Sequence, residues 1–165
     1  MHMHRLAAAA ALSLALSLAL SAGTAAAQVT PQAVSDWLSG RALTPELVTE
    51  GEESFIRVQD EGLTWLLFFY GCEARGCDSL QFGAGFTNDS VTLDMVNAWN
   101  RDRRFLKAYF EAGEEGSALV QYDVIPTPGA PMDHLSDHVD LWRGTLAAFA
   151  VHVGYLQAAE EAEAE

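Results

Sequence analysis

Residues 91–110, VTLDMVNAWNRDRRFLKAYF, decide how the rest of the chain is read. The first half predicts a short helix over residues 92–101. Thr92 offers its hydroxyl to a backbone N–H that the first helical turn leaves unpaired. Leu93, Val96 and Trp99 follow at three-residue spacing and give the helix one apolar face. Asn100 and Asp102 then end the pattern, because their side chains compete for backbone hydrogen bonds. From Arg104 the period changes to two. Phe105, Lys107, Tyr109 and Glu111 alternate with Arg104, Leu106, Ala108 and Phe110, which predicts a strand with two partly apolar rows. No catalytic arrangement is recognisable in the stretch.

Downstream, a turn over residues 113–116 leads into ALVQYDVI at residues 118–125, which alternates again, so residues 104–111 and 118–125 read as a hairpin. Pro126, Pro128 and Pro131 make a loop without regular structure. From about Met132 a long helix is predicted. Leu135, Val139, Trp142, Leu146, Phe149, Val153 and Leu156 recur at three or four residues as its apolar stripe.

Upstream, Thr30-Pro31 opens a short helix with a hydroxyl cap and a proline in the first turn; Val34, Trp37 and Leu38 form its inner stripe, and Gly40 ends it. Leu47 and Val48 suggest a first short strand, and Phe55, Ile56 and Val58 a second, closed by Asp60-Glu61-Gly62. LTWLLFFY at residues 63–70 is an almost unbroken apolar run, expected as a central strand covered on both faces. Residues 80–86 resume strand character, with Gly83 and Gly85 weakening it or marking a bulge. These elements predict an α+β domain. A five- or six-stranded antiparallel sheet is packed by a short N-terminal helix, a middle helix and a long C-terminal helix.

Asn97-x-Trp99-Asn100, followed by Arg103-Arg104-Phe105-x-Lys107-Ala108-Tyr109, resembles the signature of the YbjN family, small bacterial proteins labelled sensory transduction regulators. The resemblance runs from about Thr30 to Tyr155. It implies a fold similar to the chaperones of type III secretion, with helices on one face of an antiparallel sheet. It implies no established reaction. The expectation is therefore a regulatory or binding protein rather than an enzyme, with a protein partner held by an open sheet face or a dimer seam.

Residues 1–27 read as a secretory signal peptide: Arg5 beside His2 and His4, an Ala/Leu/Ser run over residues 6–20, and Ala25-Ala26-Ala27 at the cleavage site. The mature chain then begins at Gln28, periplasmic or secreted, with a domain over residues 28–157 and an acidic tail over residues 158–165. No second apolar run reaches spanning length, so the mature form is not expected to span a membrane. Without Arg5, eight Lys and Arg stand against twenty-three Asp and Glu, a net charge of −15. Such a chain repels phosphate backbones, which argues against a nucleic-acid partner. A homodimer is compatible with the sequence, and no feature specifies one.

Three constellations carry alternative readings. Cys72 and Cys77, the only cysteines, suit one disulfide in an exported protein, with a redox switch or half of a metal site as the alternatives. Their four-residue gap is not the C-x-x-C of thiol oxidoreductases. His134 and His138 stand four apart near Asp133 and Asp137, so they can hold a divalent metal or simply form an exposed polar face. They lack the H-E-x-x-H pattern. Arg101, Arg103, Arg104 and Lys107 are half of the mature positive charges. They form either a docking patch for an acidic partner, together with Asn97 and Asn100, or a set of ion pairs and caps at the junction, where those two asparagines bond the backbone. A small-ligand or divalent-metal-binding protein is the alternative to partner docking. Nothing in the sequence asks for a cofactor, and a hydrolase has no motif support.

Overall fold

The computed structural model describes residues 28–51, 53–113 and 116–157. The predicted signal peptide and acidic tail lie outside these described residues. Helix α1, Pro31–Ser39, starts where Thr30 Oγ1 accepts from the Ala33 amide at 3.2 Å. Val34 and Leu38 are buried from it, and Trp37 donates its indole N–H to Asp133 at 2.8 Å. Four strands follow: β1 (Thr44–Glu50), β2 (Glu53–Asp60), β3 (Leu63–Tyr70) and β4 (Ser79–Thr87). Helix α2, Leu93–Asp102, then crosses to the far edge, where β5 (Lys107–Glu111) turns back into β6 (Ser117–Val124). A short 3₁₀ turn, Met132–Leu135, leads into the last helix α3, Ser136–His152.

The sheet has six strands in the order β1-β2-β3-β4-β6-β5, with every neighbouring pair antiparallel. The placement of β6 between β4 and β5 obliges α2 to bridge the width of one strand. One face of the sheet carries the core. Ile56, Val58, Trp65, Leu67, Leu80, Phe82 and Val120 meet Leu135, Val139, Trp142, Leu146 and Phe149 there, all nearly inaccessible to solvent. Trp142 sits over the middle, 5.5 Å from the Phe82 ring and 6.3 Å from the Trp65 ring. Each large side chain in this layer contributes about 1.5–3 kcal/mol by leaving water.

The other face is open, which corrects the expectation that β3 is covered on both sides. Leu66 and Phe68 are only half-buried, and Thr64 and Tyr70 are exposed. The run is apolar in both rows because the open-face residues cover one another. Phe55 and Phe68 stack across β2 and β3 with centroids 5.8 Å apart. Phe68 also lies over Gly83, where a Cβ would stand 3.4 Å from its ring. Gly83 is thus a seat for an aromatic ring rather than a bulge, and the β3–β4 register passes through it unbroken.

Two further expectations change. Strand β1 spans Thr44–Glu50 rather than Leu47 and Val48 alone, and Pro45 is tolerated because β1 is an edge strand. On α2, Leu93 is 53% exposed, and the buried face is Val96 and Trp99, with Met95 half-buried beside them. A helix whose first turn rises free of the sheet leaves its first apolar position in solvent.

Candidate functional site: the α2–β5 corner

The residues expected to form a strand from Arg104 instead form a tight corner, and β5 begins only at Lys107. Helix α2 supplies the cause. Trp99, buried against Phe149 edge-on at 5.0 Å, donates its indole N–H to the Leu106 carbonyl at 3.3 Å. One residue on, the Asn100 side chain donates to the Ala108 carbonyl at 2.8 Å and accepts from the Ala108 amide at 3.0 Å. This carboxamide gives an edge-strand residue the donor and acceptor that a further strand would give. Leu106 and Ala108 are fixed and buried, so the chain between Arg103 and Leu106 has little room to extend.

It closes by a three-residue turn. The Leu106 amide donates to the Arg104 carbonyl at 3.0 Å, and Phe105 between them takes φ 74°. This is the positive-φ form of the γ-turn, rare and strained for a residue that carries a Cβ. Phe105 is also 57% exposed. A bulky aromatic is held in an unfavourable backbone conformation and directed at water.

One cation lies against that ring and a second against its neighbour Trp99. The Arg104 guanidinium lies 4.9 Å from the Phe105 centroid, and the Arg103 guanidinium lies 5.7 Å from the Trp99 centroid. Arg101 forms a two-point contact with Asp102 at 2.7 and 2.8 Å. Hydrogen bonding to Arg101 holds the Asp102 carboxyl below the usual carboxylate range. No carboxylate oxygen among the described residues lies within ion-pair distance of Arg103 or Arg104. Lys107 does not join this group. It starts β5 on the open face of the sheet and pairs with Asp123 at 2.9 Å. Asn97 is exposed on α2, and Asn100 is occupied by the backbone. The corner therefore brings together Arg101, Arg103, Arg104 and Phe105, and chemically it can bind carboxylates beside an apolar group. The sequence offered Phe105 only as one residue of the family signature and of a strand pattern, because positive φ at a phenylalanine has no signature of the kind that glycine or asparagine provides.

Comparison with known proteins bears on the whole domain. A family model described as "Putative bacterial sensory transduction regulator", YbjN, matches residues 30–154. The chain belongs to the YbjN family. The crystal structure of YbjN from E. coli, described as "a putative transcription regulator", is similar at a TM-score of 0.50 and 11% identity, covering 67% of this chain and 81% of that one. At that identity the likeness is one of fold. No curated protein matches the chain. The family's description is that of a regulator.

In this YbjN-family chain the histidine pair is occupied by the protein itself. His134 Nδ1 donates to the Pro131 carbonyl at 2.7 Å, which leaves Nε2 free to accept from the Thr127 amide at 3.3 Å. Both ring nitrogens thus staple the proline loop. His138 Nδ1 meets the Tyr122 hydroxyl at 2.7 Å. Among the described residues, no group of three or more His, Cys, Asp or Glu side chains is arranged to hold a metal ion. Cys72 and Cys77 are joined in a disulfide. Its hairpin holds the start of the domain: the Cys77 amide donates to the Val29 carbonyl at 2.9 Å, and Gln28 Nε2 donates to the Ala74 carbonyl at 3.2 Å. Gly76, at φ 110°, lies so close that a Cβ would stand 3.2 Å from Val29 backbone atoms.

Two outcomes follow. Replacing Asn100 by leucine removes both bonds to Ala108 and lowers stability by about 1–3 kcal/mol, read by chemical denaturation, with faster hydrogen exchange at the Ala108 amide. Burial lowers the His138 pKa below its ordinary 6.5, with His134 nearby adding to the shift and Asp137 opposing it. The unfolded chain then takes up the proton first, so this group's contribution is complete above about pH 6.5 and is lost as pH falls through the folded value. The denaturation midpoint of the wild type should accordingly fall more steeply below that pH than the midpoint of His138→Gln.

Proposed function

We propose that this chain is an exported, non-catalytic regulatory protein that docks a protein partner at the α2–β5 corner. The observation that carries the reading is Phe105, strained and exposed, with Arg104 against its ring and Arg103 against Trp99, in a chain of strongly acidic balance. Strain of this kind persists only where surrounding contacts enforce it, and it is worth keeping where it presents a side chain to a partner. Aromatic and arginine side chains are also the residue types that dominate binding energy at protein interfaces. Guanidinium groups stay charged at all ordinary pH and offer no proton for chemistry, so the corner suits recognition rather than catalysis.

The expected partner segment is acidic with one apolar side chain. Carboxylates pair with Arg103 and Arg104, and the apolar group covers Phe105. Export is supported by the signal-peptide pattern of residues 1–27 and by the Cys72–Cys77 disulfide, a bond that persists in oxidising compartments. The alternative of a metal-binding protein gains nothing from His134, whose ring nitrogens both serve the backbone.

Peptide selection on the oxidised chain from a random displayed library tests this reading. Enriched sequences should combine Asp or Glu with a large apolar residue. They should bind Arg103→Ser/Arg104→Ser at least tenfold more weakly than wild type, with the affinity falling as salt rises. Selected peptides that bind the double variant as well as the wild type would place the docking surface elsewhere.

A further inference from the structure

An open face of an antiparallel sheet is ordinarily polar, yet where β2 begins and β3 ends this one is aromatic. Glu50, Glu53, Phe55, Phe68, Phe69 and Tyr70 line one cavity of about 570 Å³ there. That volume falls within the roughly 300–1,000 Å³ of small-ligand sites. We propose that this cavity binds a small organic cation, an alkylated ammonium held between the aromatic rings and the two carboxylates. The proposal is independent of the docking reading, which concerns the β5 edge of the sheet.

The charge comes from register. Glu50 and Glu53 stand directly opposite each other across the β1–β2 hairpin, and like charges so placed destabilise a strand pair. Among the described residues neither carboxylate lies within ion-pair distance of a basic group, and no basic side chain lines the cavity. With a period of two, Glu53 and Phe55 on β2 share the open face with Phe68 and Tyr70 on β3, and Phe55 lies directly opposite Phe68. Negative charge and ring faces therefore meet on one surface.

The rings are held in place by the protein alone. Phe68 rests over Gly83 and against Phe55. Tyr70 donates its hydroxyl to Gln81 Oε1 at 3.3 Å. Gln81 in turn donates to Asp123 at 2.6 Å, and Lys107 anchors the other oxygen of that carboxylate at 2.9 Å. A chain of polar contacts across four strands thus ties down the Tyr70 hydroxyl and leaves the ring face for a ligand. A site ordered in advance loses less entropy on binding.

The lining decides the class of ligand. Two carboxylates in so acidic a chain repel an anion. A neutral apolar ligand would strip water from both carboxylates and return nothing to them. A hard metal ion such as Ca²⁺ needs about six to eight oxygen ligands and gains little from aromatic rings. An alkylated ammonium satisfies both halves of the lining, because its charge is spread onto alkyl groups that can lie against ring faces. A lysine side chain carries the same charge in a compact, strongly hydrated form, which the rings desolvate less readily.

Choline is the probe, titrated into the isotope-labelled, oxidised chain and followed by amide and ring-proton chemical shifts. Three controls run beside it. The neutral carbon isostere has a tert-butyl group in place of the trimethylammonium, Nα-acetyl-lysine amide carries the charge as a primary ammonium, and sodium chloride matches the ionic strength. Choline should give saturable shifts centred on Glu53, Phe55, Phe68 and Tyr70, with a dissociation constant of roughly 1 mM or below. The isostere and the lysine compound should bind at least about tenfold more weakly. Tyr70→Leu and Glu53→Gln, each altering an exposed side chain, should each weaken choline by about threefold or more. Arg103→Ser/Arg104→Ser should leave choline binding unchanged, so the cavity and the corner are tested separately. Shifts no larger than those from sodium chloride, equal binding of the isostere, or binding that both single substitutions leave intact would overturn the proposal. Tighter binding of the lysine compound would overturn the small-molecule assignment in favour of a protein side chain.

Discussion

The pair of hydrogen bonds between the Asn100 side chain and the Ala108 backbone is the constraint from which the α2–β5 corner follows. Strand β5 has five residues and lies at the edge of the sheet, with β6 on one side only. An exposed edge offers unpaired amides and carbonyls to any passing strand. Asn100 satisfies one residue of that edge from the helix above it. Trp99 adds a third bond at Leu106, and because Trp99 is itself wedged against Phe149, the corner is tied to the main core. With Leu106 and Ala108 held, the turn between helix and strand must close in very few residues. The γ-turn at Phe105 is the result.

The two sheet edges are therefore blunted by different means. At β1 the devices are local to the strand: Pro45, which has no amide, and Glu46, paired with Arg57 at 2.8 Å. At β5 the device is tertiary, and it places charge and an aromatic ring at the surface beside the protected edge. That difference explains why the binding reading settles on the β5 side. Of Trp99, Asn100, Arg103, Arg104 and Phe105, the first two build the corner and the last three are displayed by it.

Much of the architecture could be read from residue pattern alone, where local chemistry and burial point the same way. Thr30-Pro31 caps α1, the stripe from Leu135 to Phe149 packs α3, and the two alternating runs pair over Lys107–Glu111 and Ser117–Gln121. The readings that changed are those where a side chain's partner lies far away in sequence. LTWLLFFY looks covered twice because Phe68 is sheltered by Phe55 and Gly83, which sequence spacing cannot disclose. Phe105 fits a period of two, yet hydrogen bonds from Trp99 and Asn100 override that period. The histidine pair has metal-ligand spacing, but the proline loop takes both nitrogens of His134. In the candidate site, the arginines were visible by their density in an acidic chain, while the turn at Phe105 was hidden in an ordinary strand pattern.

The central claim is that the chain bears backbone strain at Phe105 in order to display its ring. Replacing Phe105 by glycine tests it most directly, since glycine adopts positive φ without a Cβ penalty. Folding stability and affinity for corner-selected peptides are measured on the same variant. Stability that holds or rises by up to about 1 kcal/mol, with affinity reduced at least tenfold, is the predicted result. A fall in stability of more than about 1 kcal/mol with affinity unchanged would show that the ring serves the fold and not a partner.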